Sequence, residues 1–165
     1  MAKTEIERAV QLGLIDRLID HRPDSRVEPV MSRQESVRRL RSAVRRDLEW
    51  LLNTNRSIES VPESCAELRD SLFFYGLPDV NSLTLDNAQD EERLLRSLES
   101  SIERFEPRLT RVRVIAFDRV SKQRASVQFR VEAVLLIEPS PERISFDTVL
   151  EIAMGSYTVK EDQGA

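Results

Sequence analysis

Apolar residues recur along this chain at two different periods, and the change of period divides it. Before residue 105 they return every three or four positions, the mark of amphipathic helices; after residue 109 they alternate with polar residues, the mark of half-buried strands. The clearest helical segment opens at Ser32-Arg33-Gln34-Glu35. This is a capping box, with Ser32 placed to accept a first-turn N–H and Glu35 to reach back. Val37, Leu40, Val44, Leu48 and Leu51 then fall on one face, and Asn53-Thr54-Asn55 supplies side chains that compete with helical hydrogen bonds and favour a stop.

Three further segments read as helical. Ile6, Val10, Leu14 and Leu18 lie four apart within residues 4–20, a short stripe before the turn-rich run from His21 to Arg26. Residues 62–75 predict a helix with Leu68, Leu72 and Tyr75 in register, ended by Gly76 in a left-handed conformation, with Pro78 preventing a restart. The last starts near Asp86 or Asn87 and runs to Phe105, with Glu91, Leu95, Leu98, Ile102 and Phe105 on one face. Pro107 ends it, because the residue before a proline is pushed out of helical geometry, so Glu106 is expected to be extended.

The strand pattern follows. Leu109 to Phe117 is one strand, Val127-Phe129-Val131-Ala133-Leu135 the inner face of a second, and Ile144-Phe146-Thr148-Leu150-Ile152 that of a third. The run Glu138 to Glu142 turns the second into the third. Helices first and an antiparallel meander after them predict an α+β fold, with N-terminal helices packed on a small antiparallel sheet of three strands plus a C-terminal segment. The expected organisation is a helical extension over 1–30, a single domain over 31–160 and a tail over 161–165. So small a sheet has exposed edges, which invite another chain to add a strand.

Composition narrows the function. Of 165 residues 33% are charged, and the net charge of −4 argues against a protein built to hold nucleic-acid phosphates. One cysteine, Cys65, excludes an intramolecular disulfide and fits a reducing compartment. His21 and Cys65 are too isolated to make a zinc site, no glycine-rich phosphate loop is present, and no cofactor is implied. Glu5 and Glu7 interrupt what would be the apolar run of a secretory signal, and the longest aliphatic run, Ala133 to Ile137, is far short of a membrane span. A cytoplasmic protein without direct membrane insertion is expected. Arginines outnumber lysines 22 to 3, and those at Arg38, Arg41 and Arg45 line a second face of the capped helix.

No constellation for catalysis emerges. Aspartate and glutamate total 29, so paired carboxylates alone mean nothing, and Cys65 has no base near it in sequence. Glu106 stands beside Arg108, which favours its ionised form, the wrong direction for a general acid. The stretch Phe105-Glu106-Pro107-Arg108-Leu109 therefore has two readings. It is a helix stop with an incidental ion pair, or a rigid acid–base pair presented to another subunit.

Three segments carry a resemblance. Asp47-Leu48-Glu49-Trp50-Leu51-Leu52-Asn53-Thr54, Tyr75-Gly76-Leu77-Pro78-Asp79 and Phe105-Glu106-Pro107-Arg108-Leu109, in this order and with the strand-rich end and Tyr157-Thr158-Val159 behind them, resemble the phage baseplate-wedge "lysozyme-like" family. Within it they resemble the TssE-type subunits of bacterial type VI secretion baseplates. The resemblance spans roughly residues 30–160. Asn55-Arg56 departs from it, since the family more usually has a basic residue directly after Asn-Thr. It implies a structural adaptor, not an enzyme, in which Glu106, Pro107 and Arg108 contact other wedge subunits of TssF, TssG and TssK type. The sheet edge would meet sheath subunits of TssB and TssC type by strand addition. The protein would then be cytoplasmic, docked at the inner membrane through the assembled baseplate. A peptidoglycan hydrolase using Glu106 as acid, a stand-alone signalling or chaperone module, and a subunit of a phage-derived injection particle are the alternatives.

Overall fold

The computed structural model describes residues 10–19, 23–24, 31–56, 63–78, 88–116, 126–151 and 155–161. Among these residues three α-helices come first: α1 (Leu14–Leu18), α2 (Arg33–Leu52) and α3 (Ala88–Phe105), with two 3-10 segments, Glu63–Asp70 and Leu72–Phe74, between α2 and α3. Four strands follow: β1 (Leu109–Ala116), β2 (Ser126–Leu135), β3 (Glu142–Glu151) and β4 (Ser156–Glu161). All are antiparallel, in the order β1-β2-β3-β4. The α+β reading holds, and the C-terminal segment is a full fourth strand of the meander.

The chain divides into two compact units, Met1–Val44 and Arg45–Ala165. In the first, Ser32 caps α2 by accepting from Glu35 N at 3.2 Å, while the Glu35 carboxylate lies 3.5 Å from Arg39 and 4.0 Å from Arg38. Ser36 is buried and accepts from Val10 N at 2.9 Å, tying the segment before α1 to α2. Helix α1 has only five residues, and its Leu14 and Leu18 are exposed. Positions 4–9 of the expected N-terminal stripe lie outside the described residues.

In the second unit the alternating pattern is realised directly. Phe129, Val131, Ala133 and Leu135 of β2 and Ile144, Phe146, Thr148 and Leu150 of β3 are buried on one face. Each large side chain there contributes about 1.5–3 kcal/mol by leaving water. Leu94, Leu98 and Ile102 of α3 and Leu48, Leu51 and Leu52 of α2 are buried as well. Leu94 is buried where the periodicity favoured Leu95, which is only partly covered. Helix α3 lies against β1, and its Glu99 accepts from Val114 N at 2.8 Å.

Strand β1 departs from simple alternation. Leu109, Val112 and Val114 are its buried residues, so the inward phase switches from odd to even positions. A bulge between Thr110 and Arg113 inserts the extra residue that makes this possible, with Arg111 in the left-handed region at φ 54°.

The helix expected over 62–75 is instead two 3-10 segments. Cys65 has non-helical dihedrals inside the first. Ser71 ends it by donating to Leu68 O at 2.7 Å and starts the next by accepting from Phe73 N at 3.2 Å. A hydroxyl that bonds locally in this way competes with a continuous helix. The stripe is lost with it: Leu72 is 82% exposed.

Candidate functional site

The turn after α3 is built by proline geometry. Glu106 N still donates to Ile102 O at 2.9 Å, completing the last helical turn, and Leu109 N donates to Glu106 O at 3.0 Å. Glu106 to Leu109 is thus a β-turn with Pro107 and Arg108 at its centre, where the fixed φ of proline suits the second position. Glu106 and Arg108 meet across this turn rather than along an extended chain.

The pairing is a fork. Arg108 Nε donates to Glu106 Oε1 at 2.6 Å, Arg108 Nη2 to Glu106 Oε2, and Arg108 N also to Glu106 Oε1 at 3.2 Å. The same Nη2 reaches Asp47 Oδ2 on α2 at 2.6 Å. Burial pulls the Arg108 pKa down, but the hydrogen bonds and charges of Glu106 and Asp47 outweigh it and the net shift is upward. Glu106 is 4% exposed, so its carboxylate is spent inside the protein; Pro107 is exposed and Arg108 half-buried.

Asp47 extends the cluster to the surface of α2. Arg46 donates to Asp47 Oδ1 from Nε at 3.0 Å and from Nη2 at 2.7 Å. Its guanidinium carbon also stands 4.9 Å from the centre of the Trp50 ring. That stacking contributes about 0.5–1 kcal/mol at an exposed site. Trp50 is 53% exposed, a large aromatic held in place by a cation yet facing solvent.

The corner at Tyr75-Gly76-Leu77 closes the other side. The Tyr75 ring meets Phe105 edge-on at 5.3 Å, and its pKa is raised by burial first and then by the charges of Asp47 and Glu106. Leu77 N donates to Thr54 O at 2.8 Å and Arg56 N to Leu77 O at 2.9 Å. Ser101 Oγ of α3 donates to Gly76 O at 3.3 Å. Gly76 adopts φ 106°, and a Cβ there would lie 2.1 Å from Thr54 O. The three segments that are far apart in sequence therefore converge on one junction.

Of the residues singled out beforehand, Glu106, Pro107 and Arg108 sit together at this junction. Asp47, Arg46 and Trp50 belong to the same cluster but were not marked as site residues. The spacing of Asp47 and Trp50, one helical turn apart, was the available signal; the pairing of Asp47 with Arg108 was not readable from spacing.

Residues 38–140 match the family described as baseplate wedge protein gp25. No curated protein matches the chain.

Proposed function

The chain belongs to the baseplate wedge protein gp25 family, and from that premise we propose that this phage-like baseplate subunit is the adaptor of a type VI secretion baseplate. In this reading it joins the other wedge subunits, of TssF, TssG and TssK type, to the first sheath ring, of TssB and TssC type. The wedge subunits dock on Pro107, Arg108 and the Trp50–Arg46 stack, and the sheath adds a strand to the sheet. No helix among the described residues is long and apolar enough to cross a membrane, so docking at the inner membrane would run through its partners.

The observation that carries this reading is the rigid presentation of Arg108. Glu106 and Asp47 hold its guanidinium from two elements, and Arg46, paired with Asp47, stacks on an exposed tryptophan, Trp50. Tryptophan and arginine in fixed geometry are the side chains that dominate protein interfaces, because little further entropy is lost when a partner arrives. Glu106 then has a positioning role, since its carboxylate faces inward. The same inward orientation gives a sugar chain no access to it, which disfavours the hydrolase alternative.

Co-purification with the TssF-, TssG- and TssK-type subunits tests the proposal, with Trp50→Ala and Arg108→Lys compared with wild type and a thermal melt on each. Trp50→Ala should melt near wild type and lose the wedge subunits. Wild type that fails to bring them down overturns the adaptor reading. Both variants retaining them in full would move the contact away from this junction.

A further inference from the structure

The outer face of the sheet carries a second cluster of charge. Arg111, Arg113 and Arg143 line an open cleft of about 400 Å³ together with Glu132, Val134 and Ser145. The register sets this arrangement. Arg113 stands opposite Glu132 and Glu132 opposite Ser145, while Thr110, Val134 and Arg143 form the next row. Three guanidinium groups against one carboxylate leave a net of two positive charges in a protein whose total is −4.

These arginines differ from those on the helices. Arg39, Arg45 and Arg96 each lie within reach of an acid. Among the described residues, no ion pair or side-chain hydrogen bond engages Arg111, Arg113 or Arg143, and all three are exposed. Arg111 adds an independent feature. It occupies the left-handed region at φ 54° inside the β1 bulge, where glycine or asparagine would sit with less strain. An arginine at a strained position with its side chain exposed points to a use for that side chain.

We propose that this cleft docks an acidic polypeptide segment, with carboxylates spaced to meet the guanidinium forks on either side of Glu132. Arginine forks match carboxylates two bonds at a time, and Glu132 would accept from a backbone or hydroxyl donor between them. An unbroken row of phosphates fits less well, because Glu132 lies in its path and the adjacent row is already neutralised by the Arg130–Asp147 pair at 2.8 Å. No residue of the Arg108 junction lines this cleft, so the proposal stands whether or not that junction docks the wedge subunits.

Fluorescence anisotropy on the full chain tests it, using a labelled peptide of alternating Glu and Ser, the same peptide with Gln for Glu, and an oligothymidine of similar length. Wild type should bind the Glu peptide, and Arg111→Gly and Arg143→Gln should each weaken it by about tenfold. Arg96→Gln, which removes the same charge from α3, should stay within about twofold, since screening limits distant charges. Arg111→Gly should melt no lower than wild type, which separates lost binding from lost folding. The proposal is overturned if wild type does not bind the Glu peptide, if the Gln peptide binds equally, or if Arg96→Gln weakens binding as much as the cleft variants. Tighter binding of oligothymidine also overturns it, by assigning the cleft to phosphate.

Discussion

Asn53 clasps both main-chain groups of Tyr157: its Nδ2 donates to Tyr157 O at 2.8 Å and its Oδ1 accepts from Tyr157 N at 2.8 Å. The side-chain amide imitates a neighbouring strand at the outer edge of β4. Arg45 adds a contact one step further along, from Nη1 to Val159 O at 3.2 Å. An edge strand whose outward groups are taken in this way is a poorer template for stray pairing, so a partner strand arriving at β4 must first displace α2 side chains.

Asn53→Ala should therefore act on association as well as on stability. Loss of the clasp should cost about 1–2 kcal/mol and uncover an edge. We expect a lower melting temperature together with more self-association than wild type, read by sedimentation velocity over a range of concentrations. A variant that sediments like wild type at every concentration would show that Asn53 does not guard this edge.

Gly76 is the least replaceable residue of the corner. Gly76→Ala meets two penalties, a side chain at φ 106° and a Cβ 2.1 Å from Thr54 O, and the obstacle is backbone that cannot rotate away. A loss of roughly 3 kcal/mol is expected, or about 6–12 °C in a domain of this size. Pulling Gly76 away from Thr54 would also disturb the Leu77 N to Thr54 O bond, so Trp50 fluorescence near the end of α2 should change with it. A melting temperature within a degree of wild type would mean the corner is not docked as described.

Among the described residues, Thr148 Oγ1 and Tyr157 Oη are buried without a hydrogen-bond partner. Removing such an orphan group relieves its desolvation cost, so Thr148→Val should be neutral or stabilising by about 1 kcal/mol, where most core substitutions destabilise. Burial also raises the Tyr157 pKa above its ordinary 10.0. Because the folded value exceeds the unfolded one, the neutral phenol's contribution is complete below about pH 10 and is lost as pH climbs beyond it. Tyr157→Phe should flatten that alkaline loss in pH-dependent melts. Tyrosinate absorbance should then reduce to the single step of Tyr75, the other tyrosine of the chain. An alkaline limb unchanged in the variant would place the loss elsewhere.

The long periodic elements were legible because burial decides them. Leu40, Val44, Leu48 and Leu51 are buried as their spacing required, and so are Phe129 to Leu135 of the β2 stripe and Ile144 to Leu150 of the β3 stripe, while Val127 is only partly covered and Ile152 lies outside the described residues. What escaped was set by one residue acting locally or by contacts between distant segments. Ser71 breaks the expected 62–75 helix through hydroxyl bonds that no period reveals. Arg111 shifts the phase of β1 through a bulge, and arginine is not a residue that announces positive φ. Proximity of Glu106 and Arg108 was readable from their spacing, but its geometry was not, since Pro107 and Arg108 form a turn where an extended chain was expected. The 61-residue reach from Arg108 to Asp47 was not readable either.

That reach and the fork can be separated by mutation. Arg108→Ala strands the Glu106 carboxylate, 4% exposed, without its countercharge, and should cost about 3 kcal/mol. Arg108→Lys keeps the charge but not the planar fork and should cost about 1–2 kcal/mol. Asp47→Asn leaves the fork intact and removes only a partly exposed partner, so under about 1 kcal/mol is expected. Replacing both fork partners, Glu106→Gln with Arg108→Met, should cost less than the sum of Glu106→Gln and Arg108→Met alone, because no unpaired charge is left buried. Urea denaturation of the full set measures all of these. If Asp47→Asn proves as costly as Arg108→Ala, then the tie between α2 and the turn, and not the fork, is what holds Arg108 in place.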